Sequence, residues 1–189
     1  MGIIAVIIVF ICICVDNMVS ANMSALKMTK EKKSIFSVKM ALFFAGANAV
    51  LLGLGYLVSI FFFHSWVYFA HHWVAFAFFL LLGIKLMLES IEKSPSFSDV
   101  DASDTGKLIK VSALIGLNSF LTGYALETME RTFFPEVILL FVLTFVLTLL
   151  GTHLGSSSAQ ETNKPLLIKR LELVAGIVLI IMGIRLIVI

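Results

Sequence analysis

The sequence predicts an all-α membrane protein with six transmembrane helices arranged as two inverted three-helix repeats. Of its 189 residues, 60% are hydrophobic and 14% are charged, whereas soluble domains are about 25% charged. The mean hydropathy is +1.06, and the charged residues gather in short clusters between apolar runs of about 20 residues, the length that crosses a bilayer. Motifs of the first half also recur in the second half. Six such runs take up nearly all of these 189 residues, so we expect no separate soluble domain among them.

The first apolar run predicts a membrane helix over residues 2–25. The segment 19–21 (VSA) resembles the cleavage site of a secretory signal, but a signal carries positive charge before its apolar stretch. Here the lysines follow the run instead. We therefore expect a retained helix whose N-terminus lies outside the cytoplasm.

Five further apolar runs predict helices at 34–63, 68–91, 108–129, 133–155 and 166–189. The hydrophilic stretch EKSPSFSDVDASDTGK separates the third helix from the fourth. We predict a first repeat over residues 1–92, a cytoplasmic linker over 93–106 and a second repeat over 107–189.

The basic residues predict the orientation, because cytoplasmic loops are enriched in Lys and Arg. With the N-terminus outside, Arg131 is the one basic residue of the outer loops. The inner side collects Lys27, Lys30, Lys32, Lys33, Lys39, Lys93, Lys107, Lys110, Lys164, Lys169 and Arg170. Both termini are expected outside, on a multi-pass protein of the cell inner membrane.

Three pairs of short motifs recur in the same order, each separated by about 100 residues, which is typical of transporter repeats. The pairs are 82–86 (LGIKL) with 182–186 (MGIRL), 51–53 with 149–151 (both LLG), and Asp16-Asn17 and Ser20 with Asn118-Ser119 and Thr122. Since each half has three helices, the second half enters the membrane from the opposite side. The repeat predicts that Asp16 and Asn118 meet at the centre of the membrane.

Asp16 is the first candidate for a functional residue. A carboxylate at the bilayer centre costs about 2.5–3.5 kcal/mol on insertion scales, so it usually faces a protein interior or a wet cavity. Cys12, Ser20 and Met23 lie on the same helix face as Asp16. Cys12 and Cys14 point about 200° apart and are poorly placed to form a disulfide. We interpret them as packing residues, with Cys12 as a soft ligand beside Asp16 the alternative.

The polar residues predict a metal site. Carboxylate, amide and hydroxyl oxygens suit Mg²⁺, Ca²⁺ and Mn²⁺, and a thioether shifts the preference toward Mn²⁺. The candidate ligands are Asp16, Asn17, Ser20, Met23, Asn48, Asn118, Ser119 and Thr122. Alternatively, the Asn, Ser and Thr side chains only join helices by hydrogen bonds, an interpretation that we favour for Ser20 and Thr122. Lys85 and Arg185 are interpreted as anchors that reach opposite membrane surfaces.

Enzymatic chemistry is not indicated. The sequence contains no phosphate-binding glycine loop, no zinc-type Cys/His spacing and no nucleophile–base signature. We expect no enzyme, no cofactor and no nucleic-acid partner. The expected partners are a cation substrate and the lipid bilayer, and the oligomeric state is left open.

Four segments resemble the manganese efflux pump (MntP) family, within the lysine-exporter superfamily. They are 15–21 (VDNMVSA), similar to the family's Met-Asp-Ala-Phe-Ala-Ala-Ser stretch, then 72–76 (HWVAF), 82–85 (LGIK) with Glu89, and 172–180 (ELVAGIVLI). The resemblance covers nearly the whole chain.

The resemblance implies six helices, an inverted repeat and export of Mn²⁺ from the cytoplasm. The family's aspartate in the first helix maps onto Asp16. Its aspartate in the fourth helix, within a Ser-Leu-Asp-Ala stretch, maps onto Asn118. The acid expected in the second helix has Asn48 as its nearest polar counterpart.

We therefore expect a secondary transporter that exports divalent manganese, with Mn²⁺ as the transported substrate. One alternative is export of another substrate, such as cadmium or an amino acid. Another is a non-transporting membrane scaffold or thiol carrier, although a thiol carrier is expected to place cysteines in both halves, and the second half has none.

Overall fold

The computed structural model describes residues 3–26, 33–63, 71–91, 105–128, 132–157 and 164–188. These segments contain six α-helices and no strand. The helices are α1 (Ile3–Leu26), α2 (Lys33–Phe63), α3 (His71–Ile91), α4 (Thr105–Thr128), α5 (Phe133–Ser157) and α6 (Lys164–Val188). The all-α prediction and its six helices are confirmed.

The helix boundaries differ from the predicted ones by at most three residues. The largest difference is at the start of α4, which begins at Thr105, and the predicted start of α3 at residue 68 lies outside the described residues. At α4, the charge and polarity of the linker set the predicted start, but a helix extends past its apolar run as long as its backbone stays hydrogen-bonded. The last two residues of the predicted linker therefore belong to α4, and most of that linker lies outside the described residues.

Five helices, α1 to α5, are long and apolar enough to cross a membrane. Their outer faces carry large exposed apolar side chains, including Ile35 (82% exposed), Phe61 (78%) and Phe134 (76%). In water such surfaces would be unfavourable, whereas in lipid they match the solvent. The chain is therefore a multi-pass membrane protein.

Glycines set the closest helix contacts. A Cβ at Gly151 or Gly155 on α5 would overlap the main-chain oxygens of Met18 and Asn22 on α1. Small residues of this kind let helix backbones approach closely in lipid, where no hydrophobic effect drives helices together. Because successive glycines of α5 meet successive residues of α1, the two helices run in the same direction.

The other two main helix pairs also depend on glycine. On α4, a Cβ at Gly123 would overlap the carbonyl of Leu52 on α2, and Gly116 lies against Ala47, so α2 and α4 run in the same direction. Between α3 and α6, a Cβ at Gly83 would lie 2.7 Å from the oxygen of Gly176. These directions are the ones that six alternating membrane crossings produce.

The helix pairs keep the same pattern when the halves are exchanged. In this exchange α1 and α4 change places, as do α2 with α5 and α3 with α6. The pair α1–α5 then becomes α4–α2, and the pairs α3–α6 and α2–α5 are unchanged. All four of these pairs are in contact. An inverted repeat would produce this pattern. The division into repeats at residues 92 and 107 stays a prediction.

The core surrounds α1. Phe10 and Ile13 of α1 are fully buried with Phe79, Leu140 and Leu179 from three other helices. Of the five helices assessed as membrane spans, α1 is the most enclosed by protein. The helix that carries Asp16 is therefore enclosed by protein over most of its length, and Asp16 itself is buried.

Candidate cation site

Asp16 and Asn118 meet inside the protein. The Asn118 side-chain amide Nδ2 donates a hydrogen bond of 2.8 Å to Asp16 Oδ2. Both residues are buried, with 3% and 4% of their surface exposed. Residues that lie 102 positions apart in the sequence thus share one hydrogen bond between α1 and α4.

A third residue, Lys85 of α3, completes this group. Its Nζ donates hydrogen bonds of 3.2 Å to Asp16 Oδ2 and of 3.2 Å to Asn118 Oδ1. The same ammonium lies 3.5 Å from Glu89 Oε1, one turn further along α3. The prediction that Lys85 anchors the helix at a membrane surface is wrong, because the long side chain turns inward to the carboxylate. Arg185, its counterpart in the repeated motif, is exposed.

The Asn118 amide is oriented by these two neighbours. Its Nδ2 points to the carboxylate of Asp16, and its Oδ1 points to the ammonium of Lys85. An amide placed in this way offers an oxygen to a cation without adding charge. Asp16 and Asn118 together therefore hold one positive group between a carboxylate and an amide oxygen.

A second polar group joins three helices through Asn48. Its Nδ2 donates to Asn17 Oδ1 at 3.1 Å and to the Phe44 carbonyl at 2.7 Å, and its Oδ1 accepts a hydrogen bond from the Ser119 hydroxyl. Asn17, Asn48 and Ser119 are fully buried. Each of Asn17 and Ser119 directly follows a residue of the first group in sequence, so this second group fixes α1 and α4 beside α2.

The other candidate ligands take different positions. The Thr122 hydroxyl donates to the Asn118 carbonyl at 2.9 Å, within α4. Ser20 is buried, and its main-chain oxygen accepts a hydrogen bond of 2.8 Å from Ser24. Met23 is half-buried, about two turns beyond Asp16 on α1. Thr122 thus bonds to its own helix backbone, and a ligand role for Ser20, Met23 and Thr122 stays a prediction.

Both cysteines are free and buried in the core around α1. Cys14 Sγ lies 3.2 Å from Thr144 Oγ1 on α5. In the part of the chain that the structure describes, no group of three or more His, Cys, Asp and Glu side chains could hold a metal ion. A metal at Asp16 would therefore depend on amide, hydroxyl or main-chain oxygens for its remaining ligands.

Sequence reasoning missed Lys85 and Glu89 as neighbours of the site. The available signal was their i, i+4 spacing on a helix that is otherwise apolar, because such a pair needs an enclosed or wet surrounding in a membrane. The motif LGIKL contained Lys85, but its inward direction depends on how α3 rotates against α4 and α6. That rotation is set by the contacts of Gly83 with Gly176.

Comparison with known protein families gives a match over most of the chain. The family model described as "Mntp: Putative manganese efflux pump" matches residues 29–187. This range contains α2 to α5 and all of α6 but its last residue, with Lys85, Asn48 and Asn118, and it begins after Asp16. No curated protein and no solved structure matches the chain. Since the match covers most of the sequence, the chain belongs to this efflux pump family.

Proposed function

We propose that the chain is a secondary transporter that exports a divalent cation, Mn²⁺ above all, from the cytoplasm across the cell inner membrane. The observation that carries this proposal is the buried pairing of Asp16 with Asn118 at 2.8 Å. A carboxylate inside a membrane protein is costly unless it serves an ion pathway or has a partner. Here it lies where the two predicted repeats meet.

The chemistry of the group supports a cation substrate. It combines the carboxylate of Asp16 with the amide oxygen of Asn118. The next residue on each of these two helices, Asn17 and Ser119, belongs to the buried polar group around Asn48. Oxygen ligands of this type suit Mn²⁺ and related hard or borderline ions. The site would hold a largely dehydrated ion, with Asp16 as its charged ligand and Asn118 as a neutral one.

The arrangement of helices supports transport. Binding sites of transporters with inverted repeats lie near the membrane midplane, where the repeats meet, and the repeats rock around the bound ion. Asp16 and Asn118 come from α1 and α4, which correspond to each other in the predicted repeats. With both termini outside, the three-helix halves would open the site alternately to the two sides.

The first test uses a manganese-sensitive host. Cells with the wild-type chain should tolerate more external Mn²⁺ and retain less of it, whereas Asp16→Asn should remove this protection because the isosteric amide lacks the charge that binds a dication. Total cell manganese by mass spectrometry is the measurement. Glu136→Gln is the matched control, since it also removes a buried acid but lies in the first turn of α5.

Equal protection by wild type and Asp16→Asn, at equal membrane levels, would contradict the proposal. The same cells challenged with Cd²⁺ and with amino acids distinguish export of those substrates from export of Mn²⁺. Uptake of Mn²⁺ into inverted vesicles, with and without a proton gradient, then identifies the coupling. Absence of uptake for every substrate would support a membrane scaffold instead.

A further inference from the structure

We infer that Lys85 is a tethered competitor of the transported cation, which fills the Asp16–Asn118 site when substrate is absent and moves to Glu89 when substrate binds. This inference rests on the proposed function and adds the means by which the empty site keeps its charge balanced. It also gives Lys85 a role in setting the affinity for substrate.

The first observation is that Lys85 Nζ already occupies the position of a bound cation. It lies 3.2 Å from both Asp16 Oδ2 and Asn118 Oδ1, the two oxygens that a substrate would use. An ammonium and a metal ion that seek the same oxygens cannot both be held there at ligand distance, because the two positive charges repel each other strongly inside a protein.

The second observation is that Lys85 has another partner within reach. Glu89 Oε1 lies 3.5 Å from the same Nζ, and Glu89 follows Lys85 by one turn of α3. The ammonium therefore lies within ion-pair distance of both carboxylates in one conformation, so a small movement of the side chain shifts it from Asp16 to Glu89. The Lys85 side chain is 35% exposed, compared with 4% for Asp16, so the protein encloses it less tightly than the carboxylate.

The third observation concerns charge. The group of Asp16, Lys85 and Glu89 contains two carboxylates and one ammonium. With Lys85 on Asp16, the buried carboxylate is neutralised and the site is stable without substrate, which favours the return of an empty transporter. When Lys85 pairs with Glu89, the Asp16 carboxylate is free to bind a dication.

The test measures Mn²⁺ binding to purified full-length protein in nanodiscs, through the electron paramagnetic resonance signal of free Mn²⁺. Lys85→Met removes the charge and keeps the length of the side chain. The Kd for Mn²⁺ should fall by about tenfold or more, because the apparent Kd is the intrinsic Kd divided by the fraction of sites that are free to bind, and the variant has no internal competitor to block them. Lys85→Arg keeps the charge and should bind nearly as the wild type does. Lys110→Met is the control for losing a positive charge, since Lys110 is exposed on α4.

Glu89→Gln should change the Kd for Mn²⁺ in the opposite direction. Without its second carboxylate, Lys85 should remain on Asp16, and the Kd for Mn²⁺ should rise. This variant keeps Lys85 in place, so it tests the inference even if Lys85→Met does not fold. A role of Lys85 in structure alone would not produce opposite shifts for the two variants.

A small amine supplies an independent readout. In Lys85→Ala, added ethylammonium should compete with Mn²⁺ and return the Kd toward the wild-type value, whereas tetramethylammonium, which donates no hydrogen bond, should not. Competition by ethylammonium should be much weaker in the wild type, where the tethered ammonium already fills the position.

The outcomes separate this inference from the proposed function. If Asp16→Asn abolishes Mn²⁺ binding but Lys85→Met binds no tighter than the wild type, the competitor role is wrong and the cation site stands. If no variant binds Mn²⁺, or if Asp16→Asn binds it normally, the cation site itself is wrong, and the role of Lys85 is rejected with it.

Discussion

Asn118 shows how one residue changes the charge of the site. The resemblance to the efflux pumps places an aspartate at this position, and the chain has an amide instead. In the structure, the amide donates to Asp16 and accepts from Lys85, so each of its polar ends has a partner. Two carboxylates at this distance would repel each other unless a dication or two positive groups lay between them. The amide permits a single ammonium to balance the site.

Asn118→Asp should therefore favour the dication over Lys85. Coulomb energy scales with the product of the charges, so a second carboxylate attracts Mn²⁺ about twice as strongly as it attracts an ammonium at the same distance. We expect the Kd for Mn²⁺ to fall by about tenfold, which corresponds to about 1.4 kcal/mol. Equilibrium binding to the purified protein measures this change.

Asn118→Gln is the matched control, because it retains an amide and disturbs the packing by one methylene. It should not tighten binding. A Kd for Asn118→Asp that is unchanged or higher than that of the wild type would mean that Asn118 is not a ligand and serves only to orient Asp16.

At the scale of single helices, glycine positions decide how closely the pairs approach. On α2, Gly55 lies directly against the main chain of Phe120 and Tyr124 on α4, whereas Gly46 has no atom within 4 Å of the position of a Cβ. The two glycines occupy the same helix but opposite environments. Helix pairing in lipid depends on such contacts, since the bilayer is as apolar as the side chains.

Gly55→Ala should destabilise the protein by about 1–3 kcal/mol, because the added methyl group overlaps main-chain atoms that cannot rotate away. The midpoint of thermal denaturation in detergent measures the loss. Gly46→Ala is the control, and it should leave the midpoint unchanged or raise it slightly, since alanine favours a helix by up to about 1 kcal/mol over glycine. Equal midpoints for both variants would argue against the close contact of α2 with α4.

At the scale of the whole molecule, the helix directions agree with six alternating membrane crossings. The distribution of basic residues predicts which ends of the helices face the cytoplasm. The contacts of Gly151 and Gly155 make α1 and α5 parallel, and those of Gly116 and Gly123 make α2 and α4 parallel. Since most Lys and Arg residues fall on the ends predicted to be cytoplasmic, we expect the linker inside and both termini outside.

Reporter fusions test this orientation. Alkaline phosphatase fused after residue 189 should be active, because it folds only outside the cytoplasm, and a green fluorescent protein at the same position should remain dark. Fusions within the linker at residue 98 should give the reverse. An active phosphatase in the linker, together with an inactive phosphatase at the C-terminus, would mean that the topology is the inverse of the predicted one. The predicted direction of transport would then be reversed as well.

The sequence by itself determined the all-helical architecture and, within the site, the pairing of Asp16 with Asn118. Long apolar runs predict six helices, because about 20 residues cross a bilayer of about 30 Å. The structure contains all six, and five of them are long and apolar enough to cross a membrane within the described residues. The recurrence of Asp16-Asn17 as Asn118-Ser119 also pointed to the contact between Asp16 and Asn118, since both residues are polar in helices where polarity is costly.

Only the tertiary structure decided which faces turn inward. In lipid the outer and inner faces of a helix are both apolar, so hydrophobic periodicity gives no direction to a side chain such as Lys85. Contacts such as Gly83 with Gly176 set the rotation of α3, and that rotation brings the ammonium to Asp16. The network of Asn48 with Asn17 and Ser119 likewise exists only once three helices pack together, because hydrogen bonds between helices depend on distances that no sequence spacing contains.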